Sequence, residues 1–248
     1  KINTAGVIPV IFASSILLLP ITIANFNLSG ETGITTSGDV TTSGNAVAYA
    51  SAAGGVIIDG PVTVDTTNGG ATPAGANITY ATTVNGAGNP NDDLTLRSGT
   101  IGDILFDENV GFTTPLDALA IINAHDVTAD GVINAASVAQ STAGLGGIAS
   151  TGLTTFSGDV TTTAIGGVDV NNVAITLDGA ITTGADGPVT LNATAGLLRI
   201  TLNGDIDSEG DVNLTGAGSI ETAGDVTTSG DVVNYNSATL LTGDIAVD

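Results

Sequence analysis

Short runs of Val, Ile, Leu and Thr recur along the chain and are closed by Gly-Asp, Asp-Gly, Asn-Gly or Gly-Gly dipeptides. Such dipeptides are turn signals, and runs of this composition predict β-strands. The clearest runs are VIIDGPVTV at 56–64, NITYATTV at 77–84, DILF at 103–106, VAITL at 173–177, PVTLN at 188–192 and LLRITLNGDI at 197–206. No convincing amphipathic helix of 10 to 15 residues separates them, and the best candidate is PLDALAIINAH at 115–125. The pattern argues against alternating strands and helices and favours closely stacked short strands.

The chain also repeats itself over a long distance. GDVTTSGNAVAYASA at 38–52 aligns without gaps with GDVTTSGDVVNYNSA at 224–238, and eleven of these fifteen positions are identical. The offset of 186 residues is far longer than one coil of a repeat protein. It therefore predicts the duplication of a block of several coils.

The composition indicates which β-fold these strands form. Trp, Cys and Met are absent and aromatic residues make up 3% of the chain, so the core must consist of Val, Ile, Leu, Ala and Thr. Small β-branched side chains suit narrow, regular β-layers better than a sandwich, whose core needs larger side chains. We expect an all-β fold, a parallel β-helix (solenoid) over residues 27–248. With about 20 residues per coil, it would form a rod on the order of 50 Å long.

The chain is strongly acidic, with 3 Lys and Arg against 25 Asp and Glu and a net charge of -22. Such a chain repels phosphate backbones and anionic headgroups, so nucleic acid is excluded as a partner and divalent cations are the natural counterions. One acidic stretch has the first carboxylate spacing of an EF-hand loop, although Gly216 replaces the Glu that closes such a loop. No cofactor is required, and calcium is the one suggested, with a solvated β-turn as the alternative. The candidate calcium ligands are Asp205, Asp207, Glu209 and Asp211.

The residues that catalysis needs are sparse. Enzymes on parallel β-helices use clustered carboxylates together with a cation. The nearest arrangement is Asn91-Asp92-Asp93 beside Arg97, with a solvated loop as the alternative, and Arg199 lies in a Leu-rich run. His125 next to Asp126 lacks the further imidazole or thiolate ligands of a tight zinc site, so a turn-proximal histidine is the alternative. The sequence predicts that the chain is not an enzyme.

Residues 5–26 form a separate apolar segment that carries no charge over 22 positions and is long enough to cross a bilayer. Through AGVIP at 5–9 and IFASS at 11–15, residues 1–26 resemble one gate-lining transmembrane helix of SecY, the central subunit of the bacterial protein-translocation channel. The resemblance implies a helical, membrane-type segment. Three interpretations stay open: a composite chain, a membrane anchor, and an apolar strand or cap docked on the solenoid.

The stretch GDILFDENVGFTTPLDALAIINAHDVTADGVINAASVAQSTAGLGGIASTGLTTFSGDVTTT at 102–163 is similar to repeats of filamentous-haemagglutinin-like giant surface proteins. The resemblance implies a right-handed parallel β-helix, export to the bacterial cell surface or beyond, and a structural or adhesive role. The implied partners are a host or neighbouring-cell surface, or copies of the chain in a fibre. Two alternatives are a membrane or translocation component, through residues 1–26 only, and a filament subunit whose first segment completes a neighbour's β-layer.

Overall fold

A computed structural model of the chain describes residues 25–51, 53–141, 150–195 and 199–248. Within these ranges the chain is all-β, and its named strands pair only in parallel with strands one coil before and after. The predicted parallel β-solenoid is confirmed. No helix in the described ranges is long and apolar enough to cross a membrane. The predicted helical segment lies outside the described residues, apart from residues 25 and 26, which already belong to the first strand.

The strands, numbered in chain order, stack into three ladders that we call faces 1, 2 and 3. Face 1 contains β1 (Asn25–Gly30), β4 (Ala46–Ser51), β7 (Ile78–Tyr80), β10 (Ile104–Phe106), β12 (Val127–Ala129), β14 (Leu153–Phe156), β17 (Ala174–Leu177), β20 (Arg199–Leu202), β23 (Ser219–Thr222) and β26 (Thr239–Leu241). Face 2 contains β2 (Ile34–Thr36), β5 (Val56–Ile58), β8 (Val84–Gly86), the first half of β13 (Ile133–Gln140), β15 (Val160–Thr162), β18 (Ile181–Thr183), β21 (Ile206–Ser208) and β24 (Val226–Thr228). Val110 bridges β8 to β13.

Face 3 contains β3 (Val40–Thr41), β6 (Val62–Asp65), β9 (Asp93–Arg97), β11 (Leu116–Asn123), the second half of β13, β16 (Val168–Asn172), β19 (Val189–Ala193), β22 (Val212–Gly216) and β25 (Val233–Tyr235). One coil takes the chain once around the three faces. Stacked partners on face 1 are between 19 residues apart, as for Ile220 and Thr239, and 31 apart, as for Val47 and Ile78. The expected coil of about 20 residues therefore describes the shortest coils, and corner loops lengthen the others.

The core is a set of stacked apolar side chains inside the coils. Alternate residues of each strand point inward, so a strand such as β19 buries Val189, Leu191 and Ala193 and turns the two residues between them outward. Parallel register then places each inward residue on its counterpart one coil away. On face 2 the resulting buried row is Val56, Val84, Val110, Ile133, Val160, Ile181, Ile206 and Val226. Burying such rows on all three faces is the main apolar gain of folding, because no single coil could shelter its own side chains.

Three aromatic side chains form a stack within this core. The rings of Tyr49 and Tyr80 are nearly parallel with centroids 4.7 Å apart, and Phe106 continues the stack at 5.2 Å. All three residues are buried, and neither tyrosine hydroxyl makes a hydrogen bond of standard geometry within the described residues, although the two hydroxyls are close enough to affect each other's ionisation. Burial raises the pKa of the Tyr80 phenol well above its usual value, and the neighbouring Tyr49 raises it further. The solenoid thus holds these phenols in their neutral form.

The segment 115–125, which the sequence did not convincingly mark as an amphipathic helix, forms strand β11 (Leu116–Asn123). Its burial alternates from Leu119 onwards: Leu119, Ile121 and Asn123 are buried, and the residues between them are partly exposed. Strands β9 and β13 flank it and supply its backbone hydrogen bonds. The tertiary context therefore overrides the helix-like spacing of the apolar residues.

The two copies of the long repeat share local structure but occupy different faces. Residues 38–52 contain strand β3, a left-handed turn at Gly44 and strand β4, which lie on faces 3 and 1. Residues 224–238 contain strand β24, a left-handed turn at Gly230 and strand β25, which lie on faces 2 and 3. The same sequence therefore forms the same strand-turn-strand unit at two different positions around the coil.

Candidate functional site

The outward side of face 1 carries a row of threonines. Parallel register stacks Thr128, Thr155, Thr176 and Thr201 on four successive strands. Neighbouring strands lie about 4.8 Å apart, so hydroxyl and methyl groups repeat at that interval over about 14 Å. Threonine is restricted at χ1, so a partner that binds this row has little side-chain entropy to remove.

The outward side of face 3 carries amide ladders. The Nδ2 of Asn192 donates to Oδ1 of Asn171 at 3.0 Å, and the Nδ2 of Asn234 donates to Oδ1 of Asn213 at 2.9 Å. In each pair an amide on one coil binds the same group on the neighbouring coil. Such ladders favour one stacking register and keep this surface regular.

Carboxylates collect at the corner that leads into face 2, where the dipeptides Gly158-Asp159, Gly204-Asp205 and Gly224-Asp225 lie. Oδ1 of Asp205 accepts a hydrogen bond from the backbone N–H of Asp225 at 2.9 Å, and Oδ1 of Asp225 accepts one from Ala246 at 2.8 Å. Asp159 makes the same contact with Ala180 at 2.9 Å. These carboxylates satisfy backbone donors of the next coil, so their first role is structural.

The glycines of these dipeptides stack where adjacent coils approach most closely. A Cβ added to Gly224 would lie 2.1 Å from the carbonyl oxygen of Gly204, and one added to Gly204 would lie 2.0 Å from that of Gly179. A Cβ added to Gly179 would likewise lie 2.3 Å from the carbonyl oxygen of Gly158. No side chain fits at these positions, which explains the glycines before Asp159, Asp205 and Asp225.

The predicted calcium ligands lie one after another along the chain, before, within and after strand β21, and do not converge on a common point. Asp205 precedes β21, and Asp207 lies within it with its Oδ1 3.3 Å from Oγ1 of Thr227. Asp211 accepts a hydrogen bond from the backbone N–H of Val232 at 3.0 Å. In the described part of the chain, these carboxylates form no group of three ligand atoms within 4.8 Å of one another. Calcium binding by Asp205, Asp207, Glu209 and Asp211 stays a prediction that this geometry does not favour.

The Asn91-Asp92-Asp93 stretch gathers with Asp117 beside an open cleft of about 490 Å³. Burial alone would raise the pKa of Asp92, but the backbone N–H groups of Gly60, Asn89 and Gly88 hold that pKa below its usual value. Burial raises the pKa of Asp93, and the charge of Asp117 raises it further. Asp92 is therefore a buried acceptor that fixes a turn, with three N–H donors within 2.9 Å.

The two arginines are engaged in pairs away from that cleft. Arg97 lies on β9 and its Nη1 is 3.8 Å from Oδ2 of Asp65, a carboxylate that also accepts hydrogen bonds from the backbone N–H groups of Thr67 and Gly69. Arg199 is exposed on face 1 and pairs with Glu221 on the next coil. Within the described ranges, neither arginine thus pairs with Asp92 or Asp93, as the catalytic interpretation requires.

His125 lies at the corner between faces 3 and 1 and meets two carboxylates. Its Nδ1 is 3.0 Å from Oδ1 of Asp103 and 3.6 Å from Oδ2 of Asp126. In the ranges that the structure describes, this trio is the one group of three potential metal ligands whose atoms lie within 4.8 Å of one another. The sequence places Asp126 beside His125, but Asp103 comes from the preceding coil and was not foreseen. The sequence feature that could have revealed this contact is the position of the two aspartates, because Asp103 and Asp126 each directly precede a strand of face 1.

No protein-family model, curated protein or solved structure matches the chain. The function has to be inferred from the residues and their geometry.

Proposed function

We propose that the solenoid is a structural or adhesive repeat segment of an exported bacterial surface protein or extracellular fibre. The observation that carries the proposal is the set of outward ladders, in which one side chain repeats from coil to coil at about 4.8 Å. A surface of this kind suits many weak contacts spread along a partner. The proposed partners are a host or neighbouring-cell surface, or copies of the chain in a fibre.

The construction of the fold supports a load-bearing role. Each coil is held to the next by parallel strand pairing on three faces and by Asp and Asn side chains at the corners. A repeat array of this type gains stability with each added coil, because every coil covers the apolar face of its neighbour. The resemblance of residues 102–163 to filamentous-haemagglutinin-like repeats agrees with this role and with a location outside the cell. The proposal includes no catalytic activity.

Face 1 is the proposed adhesive face because it carries the row of Thr128, Thr155, Thr176 and Thr201. The test compares two double variants of the full chain, each coated on fluorescent beads at equal density. Thr155→Lys with Thr176→Lys alters face 1. Thr161→Lys with Thr182→Lys makes the same chemical change on the outward side of face 2, at positions that also stack directly.

We expect beads that carry the wild-type chain to be retained on epithelial-cell monolayers or on a layer of the chain itself. The face 1 variant should lose most of this retention, and the face 2 variant should keep it. Equal loss in both variants would point to a general charge effect and refute face 1 as the adhesive face. Absence of retention with the wild type on both surfaces would refute the adhesive role.

A filament subunit whose first segment, residues 1–26, completes a neighbour's β-layer is the alternative structural function. Sedimentation velocity over a range of concentrations should then show association that deletion of residues 1–26 prevents, and a monomer at all concentrations would exclude this candidate. The translocation alternative rests on residues 1–26, which lie outside the described residues except for 25 and 26.

A further inference from the structure

The corner formed by Asp103, His125 and Asp126 is chemically unlike the other acidic corners of the solenoid. It combines an imidazole nitrogen with two carboxylates, and it contains the chain's single histidine. The other corners, such as the one at Asp205 and Asp225, present oxygen atoms that bind backbone N–H groups. Imidazole is a preferred ligand of transition metals, whereas calcium and magnesium prefer oxygen.

We propose that Asp103, His125 and Asp126 bind one divalent transition-metal ion, with Zn²⁺ as the best fit. A Zn²⁺ ion bound tetrahedrally at about 2.1 Å from each ligand atom separates those atoms by about 3.4 Å. Nδ1 of His125 is 3.0 Å from Oδ1 of Asp103, which is slightly shorter than that separation, and 3.6 Å from Oδ2 of Asp126, which is slightly longer. All three ligand atoms lie within 4.8 Å of one another, so side-chain rotations can bring them to this separation around one ion that replaces the contact between Nδ1 of His125 and Oδ1 of Asp103.

The backbone holds both carboxylates in place for this role. Oδ1 of Asp103 accepts a hydrogen bond from the N–H of Asp126 at 3.2 Å, and Oδ1 of Asp126 accepts one from the N–H of Leu153 at 2.7 Å. The N–H of Asp103 is in turn bound by Oδ1 of Asn77 at 3.0 Å. Metal ligands that are oriented by such outer contacts bind more tightly, because less freedom is lost when the ion arrives.

The charge and exposure of the corner also suit a cation. The three side chains are 43% to 45% exposed, so an ion can enter directly and keep coordination positions open for water. The net charge of -22 attracts cations to the whole surface, but it does not distinguish one divalent ion from another. The imidazole supplies that selectivity. The ion would also tie together the coils that contain β10 and β12.

The test uses the full chain without a histidine tag, so that His125 is the one imidazole present. Titration calorimetry with ZnCl₂ and with CaCl₂ measures stoichiometry and affinity, and long-range ¹H–¹⁵N spectra follow the His125 ring nitrogens. His125→Asn removes the imidazole. Asp103→Asn removes one carboxylate but keeps an Oδ1 acceptor for the N–H of Asp126. Asp205→Asn is the matched control, because it changes a corner carboxylate that makes the same type of backbone contact.

We expect one Zn²⁺ per chain, a shift of the Nδ1 resonance, and binding weakened roughly tenfold or more in His125→Asn and Asp103→Asn. Asp205→Asn should bind Zn²⁺ as the wild type does, and equimolar Ca²⁺ should not displace the ion. Zn²⁺ should also raise the melting temperature of the wild type more than that of His125→Asn. Binding that is equal in wild type and His125→Asn, or ring resonances that do not respond to Zn²⁺, would show diffuse counterions and overturn the proposal.

Discussion

Gly38 and Gly224 each begin the heptapeptide GDVTTSG, and alanine should affect the two positions very differently. A Cβ at Gly224 would lie 2.1 Å from the oxygen and 2.5 Å from the carbon of the Gly204 carbonyl, where ordinary contact begins at 3.4 Å. The neighbouring coils would have to separate by about 1 Å to relieve this overlap. A Cβ at Gly38 meets no described atom within 4 Å.

The cost at Gly224 follows from the hydrogen bonds that such a separation stretches. The N–H of Asp225 is 2.9 Å from Oδ1 of Asp205, and the N–H of Ile206 is 2.8 Å from the carbonyl oxygen of Asp225. Lengthening both by about 1 Å takes them out of hydrogen-bond range and costs about 2–4 kcal/mol of unfolding free energy. Gly38→Ala should change that free energy by less than about 0.5 kcal/mol.

Urea unfolding of Gly224→Ala and Gly38→Ala, followed by circular dichroism, measures the two costs. Because coils of a repeat protein can open separately, hydrogen exchange of peptides that span 200–230 provides a local measurement beside the global one. Exchange there should accelerate in Gly224→Ala and remain as in the wild type in Gly38→Ala. Equal stability of the two variants, or unchanged exchange in Gly224→Ala, would refute the argument that close coil contact requires glycine.

Two further predictions concern buried ionisable groups. Asp92→Asn replaces one carboxylate oxygen by an NH₂ group that cannot accept from the buried turn N–H groups, so it should lower the unfolding free energy at pH 7 by about 2–3 kcal/mol in urea titrations. The pKa of Asp92 is lowered in the fold, so the stability that its carboxylate contributes is complete above the usual carboxyl pKa and is lost as pH falls through the lowered value. The unfolding free energies of wild type and Asp92→Asn should therefore converge in acid. A difference between them that persists in acid would contradict this prediction. Tyr80→Phe removes a buried hydroxyl that makes no hydrogen bond of standard geometry and whose polar neighbour is the hydroxyl of Tyr49, so it should change the unfolding free energy by no more than about 1 kcal/mol. Burial raises the pKa of Tyr80, so the neutral phenol is compatible with the fold below about pH 10 and stability is lost as pH rises above that value. Tyr80→Phe should therefore unfold at a higher pH than the wild type, as followed by circular dichroism. An unchanged midpoint of alkaline unfolding would argue against this prediction.

The strands were predictable from the sequence because their signals are local. Runs such as VIIDGPVTV at 56–64 combine β-branched residues with a Gly-containing turn, and the structure forms β5 and β6 there. A run of this kind needs no information about distant residues to define where a strand begins and ends. The same locality explains why both copies of the long repeat form a strand, a glycine turn and a strand.

The face that a strand joins was not predictable, because it depends on the lengths of the loops before it. The longest step on face 1, from Val47 to Ile78, includes a loop in which Oγ1 of Thr66 binds the carbonyl oxygen of Ala76. Loops like this one insert residues at a corner without disturbing the stacked strands. The copy at 224–238 lies on different faces from the copy at 38–52, although the two are mostly identical in sequence.

The same uncertainty about coil length hid the contact between Asp103 and His125. The two residues are 22 apart in sequence and become neighbours because one coil separates the strands that follow them. Once β10 and β12 are known to be stacked, the contact follows from position alone. A ligand set that spans coils can therefore be identified from sequence only when the coil length is known at that place in the chain.

The acidity of the chain and its stable stacking are compatible because carboxylates serve as acceptors between coils. Carboxylates that bind the next coil, as Asp205 and Asp225 do, stand about one strand spacing apart and repel each other by roughly 1 kcal/mol in a water-like dielectric. A solvent-exposed hydrogen bond contributes about 0.5–1.5 kcal/mol, which is of the same size as that repulsion, so the contacts allow the acidic corners to stack. An acidic corner is thus explained by the fold alone and is no indication of a ligand. Only a residue that the backbone contact does not need, as His125 is at the corner of Asp103 and Asp126, distinguishes a binding site from a structural corner.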